Sequence, residues 1–224
     1  MPTVLITGAN RGIGLEFVRQ YAASGWRVLA CCRQPDQASS LTEISGDIVI
    51  HKLDVADVGA VRSLGRDITD RIDVVIANAG LGGRSAGEFG SINFEGWDET
   101  FSVNVRGAVA TAEAFSPHLK ESKGRLAIIS SKMGSIADAS SGAMCYRSTK
   151  SAVNMAAAMI AAELAPSGVA VAPFHPGWVQ TDMGGGSAPT TPEESVSGLR
   201  ALIADMAVTE KPRFLDFTGT EIPW

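Results

Sequence analysis

Val4-Leu5-Ile6-Thr7-Gly8-Ala9-Asn10-Arg11-Gly12-Ile13-Gly14 decides the fold. Val4-Leu5-Ile6 is a short, wholly apolar run of the kind that forms a buried strand. A glycine-rich turn follows, and then a helical pattern from Gly12 to Ser24 with Gly25 in the closing position. Gly8, Gly12 and Gly14 let the chain bend tightly and let the N–H groups around Asn10, Arg11 and Ile13 approach a pyrophosphate. The positive end of the helix dipole faces the same point. The spacing is G-x-x-x-G-x-G rather than G-x-G-x-x-G. Taken alone the three glycines also describe an ordinary strand-to-helix turn; the strand before and the helix after give them weight.

The same alternation runs along the chain. Strands are expected at Arg27–Cys32, Ile48–Leu53, Ile72–Ala77, Arg125–Ile129 and Val169–Ala172, with a last short one near 214–217. Helices are expected at Val58–Asp70, Trp97–Leu119 with Pro117 as a weak point, Ala143–Leu164 and Glu193–Met206. Continuously apolar strands separated by helices imply a parallel sheet covered on both faces. The expected fold is therefore α/β: a single-domain Rossmann-type doubly wound sheet of about seven parallel strands over residues 1–224. Two glycine-rich loops, Gly80–Gly90 and Gly184–Pro192, follow strands and so fall at the sheet edge where such folds hold their ligands.

The 224 residues are 45% hydrophobic and 19% charged, a folded composition. The net charge of −5 comes with no basic block, which argues against nucleic acid or a membrane surface as partner. No apolar run is long enough to span a membrane, and the residues after Met1 lack the basic start of a signal peptide. Cys31, Cys32 and Cys145 are odd in number and two are adjacent, which does not suit disulfides and suggests a reducing cytoplasm.

At the end of the second strand, where NAD-selective folds carry an acidic residue, this chain has Cys32-Arg33. No carboxylate stands there to repel a 2′-phosphate; Arg33 can pair with it and Arg11 can assist. The expectation is NADP(H) rather than NAD(H). Against it stands the plainer reading of both arginines as solvated surface groups.

Seven elements in order then resemble the short-chain dehydrogenase/reductase family over essentially the whole length: Thr7-Gly8 to Gly14, Leu53-Asp54-Val55, Asn78-Ala79-Gly80, Asn104, Ser130-Ser131, Tyr146-x-x-x-Lys150 and Pro176-Gly177. The stretch His175–Gly185, Glu193-Glu194-Ser195-Val196 and the ending Glu221-Ile222-Pro223-Trp224 resemble the carbonyl-reductase-like group that includes the C-factor signalling proteins. The resemblance implies hydride transfer with NADP(H) on a small carbonyl or alcohol substrate. Tyr146 is then the acid/base. Lys150, one helical turn on, favours the phenolate, lowers the tyrosine pKa and binds the nicotinamide ribose. Ser131 orients the substrate oxygen, while Ser130 faces the other way. Asn104 perturbs its helix and holds a water in a relay to Lys150; otherwise it is a solvent-facing Asn. Asp54, with Val55 beside it, accepts from the adenine amino group, or else caps the next helix. Gly80 leaves room for cofactor, Ala79 lies beside it, and Asn78 ties neighbouring strands. Pro176, Gly177, Val179 and Thr181 border the nicotinamide.

Gly83-Arg84-Ser85-Ala86-Gly87 spells the hydrolase elbow G-x-S-x-G, but without a strand directly before it or a helix directly after. His51, His118 and His175 show no metal spacing, so no metal is expected. Cys145 adjoins Tyr146 and reads as a buried, inert thiol rather than an oxidant sensor. The loop 184–192 is short for a lid, which suggests an open site for bulky or varied carbonyls. Two functions stand: an NADPH-dependent carbonyl reductase, as monomer or homodimer, and a nucleotide-binding signalling protein with little turnover.

Overall fold

A computed structural model describes residues 1–83 and 86–224. Seven parallel strands form one sheet: β1 (Thr3–Thr7), β2 (Arg27–Cys32), β3 (Ile48–Lys52), β4 (Val74–Ala77), β5 (Arg125–Ile129), β6 (Ala170–His175) and β7 (Leu215–Asp216). Their order is β3-β2-β1-β4-β5-β6-β7. The crossover from β3 to β4 reverses the direction of winding and opens a crevice at the carboxyl ends of β1 and β4.

Side-chain alternation along each strand makes two cores. Val4 and Ile6, with Val28, Ile76, Ala127 and Phe174, pack under α1 (Gly12–Ala23) and α7 (Pro192–Ala204). Leu5, with Leu29, Val75, Leu126 and Val171, packs under α3 (Val58–Asp67), α5 (Ala108–Ser122) and α6 (Met144–Leu164). The one-turn α2 (Ser39–Thr42) lies between β2 and β3.

The expected helix from Trp97 to Leu119 is three pieces. α4 (Phe94–Phe101) starts earlier because the Asn93 side chain accepts from the Gly96 amide. A wide π turn covers Ser102–Gly107 before α5 begins. Pro117 lies inside α5 without breaking it: the Glu113 carbonyl it cannot bond takes the Ser116 hydroxyl at 3.0 Å instead. α3 stops at Asp67, three residues short of expectation, because the chain turns extended at Ile68, and Asp70 goes to pair with Arg27 at 2.8 Å. β4 begins at Val74 rather than Ile72, where pairing with β1 and β5 starts. β6 runs on through Pro173 to His175. Phe174 turns its carbonyl toward β5, where the Ser130 amide donates at 2.7 Å, so Pro173 faces the other edge, which the two-residue β7 reaches only at Phe174.

Candidate functional site

β1 delivers the chain to the glycine turn, and close packing fixes its shape. Gly8 sits at φ +65°, and a Cβ there would lie 2.9 Å from Ala79 Cα. A Cβ on Gly14 would lie 2.1 Å from the Gly8 carbonyl oxygen. The turn is bonded to β4: Thr7 Oγ1 accepts from the Asn78 and Ala79 amides at 3.0 and 3.1 Å, and Asn78 Nδ2 donates to the Thr7 and Gly8 carbonyls at 2.9 and 3.2 Å. Asn78 thus does the strand-tying expected of it. Thr7, which the sequence singled out only as the start of a motif, is its partner. α1 begins after Arg11 with no side-chain cap, so its first amides are left for a ligand or water.

Arg33, after β2, is exposed and makes no ion pair among the described residues. Arg11 is exposed as well, and its Nη1 faces Asp182 at 3.4 Å. Asp54 does not cap α3. Its carboxylate accepts from the Ala56 amide two residues on, and Asp57 caps the helix by accepting from Ala60 at 3.0 Å. Asp54 is thereby held at the end of β3, with Val55 buried against Gly107 beneath it.

Four side chains converge at the carboxyl ends of β4 and β5. Asn104, 2% exposed, occupies the π turn. Its Oδ1 accepts from the Leu81 amide at 2.7 Å; its Nδ2 donates to the Leu81 carbonyl at 2.9 Å and to Thr149 Oγ1 at 3.0 Å. These three bonds pin the loop after β4 to α6. Thr149 escaped the sequence reading; its place in Tyr146-x-x-Thr149-Lys150 was the available signal.

Ser131 leaves β5 and starts a tight turn over Lys132–Gly134, its Oγ accepting from the Met133 amide at 3.2 Å. That turn docks on α6. Ser151 Oγ donates to the Gly134 carbonyl at 2.9 Å, and a Cβ on Gly134 would lie 2.6 Å from the Lys150 carbonyl carbon. Ser130 faces away from the crevice and donates to Asn154 Oδ1, as alternation requires.

Burial pushes the Tyr146 phenol above its ordinary 10.0, and a hydrogen bond from Ser131 pulls it part of the way back. This corrects the expectation of a lowered tyrosine. The ammonium that was to lower it is itself buried: Lys150 is 5% exposed, its Nζ lies 5.7 Å from the Tyr146 ring centroid and donates to the Ile129 carbonyl at 2.9 Å. Burial brings Lys150 from 10.5 down to about 8. Its other N–H groups have no partner among the described residues, and the nearest gap is the one Gly80 leaves. A Cβ on Gly80 would lie 3.8 Å from Lys150 Nζ and 3.4 Å from Asn104 Oδ1.

After β6, Gly177 takes φ +89°, where a Cβ would meet Phe217 at 2.8 Å. Ser195 donates to the Pro176 carbonyl at 2.6 Å. Val179 bridges to Thr190, and Thr181 packs 3.1 Å from where a Gly12 Cβ would stand. The loop 184–192 is tied down rather than loose: Trp178 Nε1 donates to the Gly184 carbonyl at 2.8 Å and Gln180 Nε2 to the Ala188 carbonyl at 2.9 Å. The two glycine loops meet, with Met183 Cγ 3.2 Å from a Cβ position on Gly82. Of the G-x-S-x-G stretch, Arg84 and Ser85 lie outside the described residues; Gly87 to Asn93 is irregular and α4 starts at Phe94. Cys145 is buried with its thiol pushed up by that burial, as expected of an inert group.

The family model "short chain dehydrogenase" matches residues 2–191. The chain belongs to the short-chain dehydrogenase family. It is 37% identical to the C-signal of Myxococcus xanthus over 158 residues, 70% of this chain and 95% of that one. It is 31% identical to 1-hydroxy-2-glutathionyl-2-methyl-3-butene dehydrogenase of Rhodococcus sp. (strain AD45) over 234 residues, covering 100% of both. The NADPH-bound carbonyl reductase from chicken fatty liver superposes with a TM-score of 0.91 at 29% identity, over 100% of this chain and 99% of that one. The family is one of nicotinamide-dependent oxidoreductases. The crevice fits such a cofactor on three counts: uncapped amides at the start of α1, the gap at Gly80, and the unspent donors of Lys150 facing it. Among the described residues no helix is long and apolar enough to cross a membrane.

Proposed function

We propose that this chain reduces aldehyde or ketone carbonyls, and in reverse oxidises the alcohols, with NADP(H) as cofactor. The observation that carries the reading is the buried Lys150 ammonium, held on the Ile129 carbonyl beneath Tyr146, with Ser131 bonded to the phenol. A lone buried cation is costly, and the fold accepts it at the one place where a proton must be handled.

When bound, NADPH supplies the hydride. Tyr146 gives its proton to the substrate oxygen, and Ser131 holds that oxygen in line. Lys150 uses its free N–H groups on the ribose hydroxyls and, once the phenol is ionised, stabilises the phenolate. Asn104 keeps the Gly80–Leu81 backbone against α6, so the gap beside Lys150 keeps its width. Arg33 takes the 2′-phosphate; Asp54 and Val55 border the adenine; Pro176, Gly177, Val179 and Thr181 wall the nicotinamide. The loop 184–192 is short, and we read the site as open to varied carbonyls; strict preference for one small carbonyl across a substrate panel would contradict this.

Tyr146→Phe is the test. Because it removes only the proton donor, kcat for carbonyl reduction drops roughly 100- to 10,000-fold while NADPH still binds. The similarity to C-signal favours the second reading, a nucleotide-binding signalling protein. A Tyr146→Phe protein that binds NADPH and keeps full biological activity decides for that one.

A further inference from the structure

α6 carries Tyr146 in its first turn, and that turn is poorly held by its own chain. Gly142 and Ala143, the two residues before the helix, take left-handed backbone at φ +86° and +49°, and no side chain caps the helix start. Two ties of the same build reach the turn from neighbouring elements. Trp97 Nε1 of α4 donates to Ser148 Oγ at 3.1 Å, and that hydroxyl donates to the Cys145 carbonyl at 2.9 Å. Asn104 Nδ2 of the π turn donates to Thr149 Oγ1 at 3.0 Å, and that hydroxyl donates to the Tyr146 carbonyl at 2.8 Å. A threonine bonding back to its own helix is common and by itself structural. Here the oxygen also takes a donor from another element, so the single hydroxyl proton is directed to Tyr146. Thr149 is fully buried.

The tie through Thr149 closes a ring of contacts on Tyr146. Gly83, in the loop after β4, packs against that residue: a Cβ on Gly83 would lie 3.3 Å from Tyr146 Cβ and 3.4 Å from its backbone nitrogen. Two residues back, both backbone groups of Leu81 are bonded to Asn104. Asn104 bonds Thr149, and Thr149 bonds Tyr146. The loop is seated on Tyr146 and tied back to it, and the Thr149 hydroxyl is the link between them. Lys150, the next residue, has its own anchor, the Ile129 carbonyl of β5.

We infer that Thr149 is a positioning residue for Tyr146: by tying the Tyr146 carbonyl to Asn104, it sets where the phenol stands against Ser131 and the substrate oxygen. This rests on Tyr146 being the proton donor. Without the Thr149 hydroxyl, Asn104 keeps both bonds to Leu81, so the gap at Gly80 keeps its width and NADPH binding is spared. What slips is the phenol. A displacement of about 1 Å at a reacting group costs up to roughly 100-fold in rate.

The test compares two variants of the full chain. Thr149→Val keeps the branched shape and deletes the hydroxyl, while Thr149→Ser keeps the hydroxyl. Two quantities are measured: the Kd for NADPH, and the single-turnover rate at saturating NADPH with the aldehyde that wild type reduces fastest, 4-nitrobenzaldehyde being the first probe. Thr149→Val should slow reduction roughly 10- to 100-fold and leave the Kd within about twofold, and Thr149→Ser should stay within about threefold of wild type in both. If the valine variant does not fold, Thr149→Ala takes its place. Ser148→Ala cuts the sister tie to Cys145 and controls for general loosening of the turn; it should leave the rate within about twofold. The proposal is overturned if a folded Thr149→Val or Thr149→Ala reduces at the wild-type rate, if Thr149→Ser is as slow as they are, if NADPH affinity falls in step with the rate, or if Ser148→Ala slows the reaction as much. Tyr146→Phe in the same assay keeps the two readings apart. A Tyr146→Phe protein as fast as wild type removes the proton donor itself; a slow Tyr146→Phe beside a fast Thr149→Val removes only the positioning role.

Discussion

Replacing Lys150 with Met should stop catalysis and stabilise the protein. The ammonium is 5% exposed, bonds one carbonyl and has no carboxylate partner among the described residues, and its burial brings the pKa from 10.5 to about 8. A tenfold change in proton affinity is worth about 1.36 kcal/mol, so a fall of that size costs the folded state roughly 3 kcal/mol at pH 7. Leaving the Ile129 carbonyl without its donor returns about 1–2 kcal/mol of that. The net gain is on the order of 1–2 kcal/mol, or roughly 2–8 °C in Tm for a chain of this size. The pH dependence gives the sign. An unfolded lysine keeps its proton up to about 10.5, while the folded one releases it near 8. Between those values folding releases a proton, so wild-type stability climbs with pH and the advantage of Lys150→Met shrinks. Urea melts of both proteins at pH 7.0 and 9.5, without cofactor, measure this directly. A variant less stable than wild type at pH 7.0, or an advantage of the same size at both pH values, refutes the account of Lys150 as a buried charge retained for function.

Four further substitutions separate the roles of individual residues. Ser131→Ala should lower kcat at least tenfold, whereas Ser130→Ala, which loses its bond to Asn154 and a weak one at 3.5 Å to the Lys150 carbonyl, should lower stability by about 1 kcal/mol and leave kcat within twofold; steady-state rates and urea melts tell them apart. Asn104→Ala leaves both polar groups of Leu81 unpaired, so it should cost roughly 2–4 kcal/mol in chemical denaturation and reduce kcat through the gap at Gly80. Arg33→Ala should lower kcat/KM for NADPH tenfold or more with NADH unchanged, since a charge-assisted bond to phosphate is worth about 1.5–3 kcal/mol; an unchanged ratio removes Arg33 from cofactor selection.

The strands and their neighbours on one face were legible because burial on both sides leaves a continuous apolar run, as in Val4-Leu5-Ile6 and Leu126-Ala127-Ile128-Ile129. Boundaries were less so, because they depend on partners. β6 extends past Pro173 only because its far edge is nearly unoccupied, and α3 is capped by Asp57 rather than Asp54 because the carboxylate that reaches the Ala60 amide wins. The site divides in the same way. Tyr146, Lys150 and Ser131 were singled out by the family resemblance, and the spacing of Tyr146 and Lys150 puts them on one helix face. The partners of Asn104 could not be placed: Leu81 and Thr149 lie 23 and 45 residues away, and no local pattern predicts a side-chain amide that bonds both. The balance at Tyr146 was misjudged for a related reason. A cation one helical turn away reads as a neighbour that lowers a phenol's pKa, but the sequence carries no measure of how far both groups are withdrawn from water. In the folded chain burial raises the phenol more than the Ser131 hydrogen bond lowers it, and burial of Lys150 lowers the ammonium's own pKa.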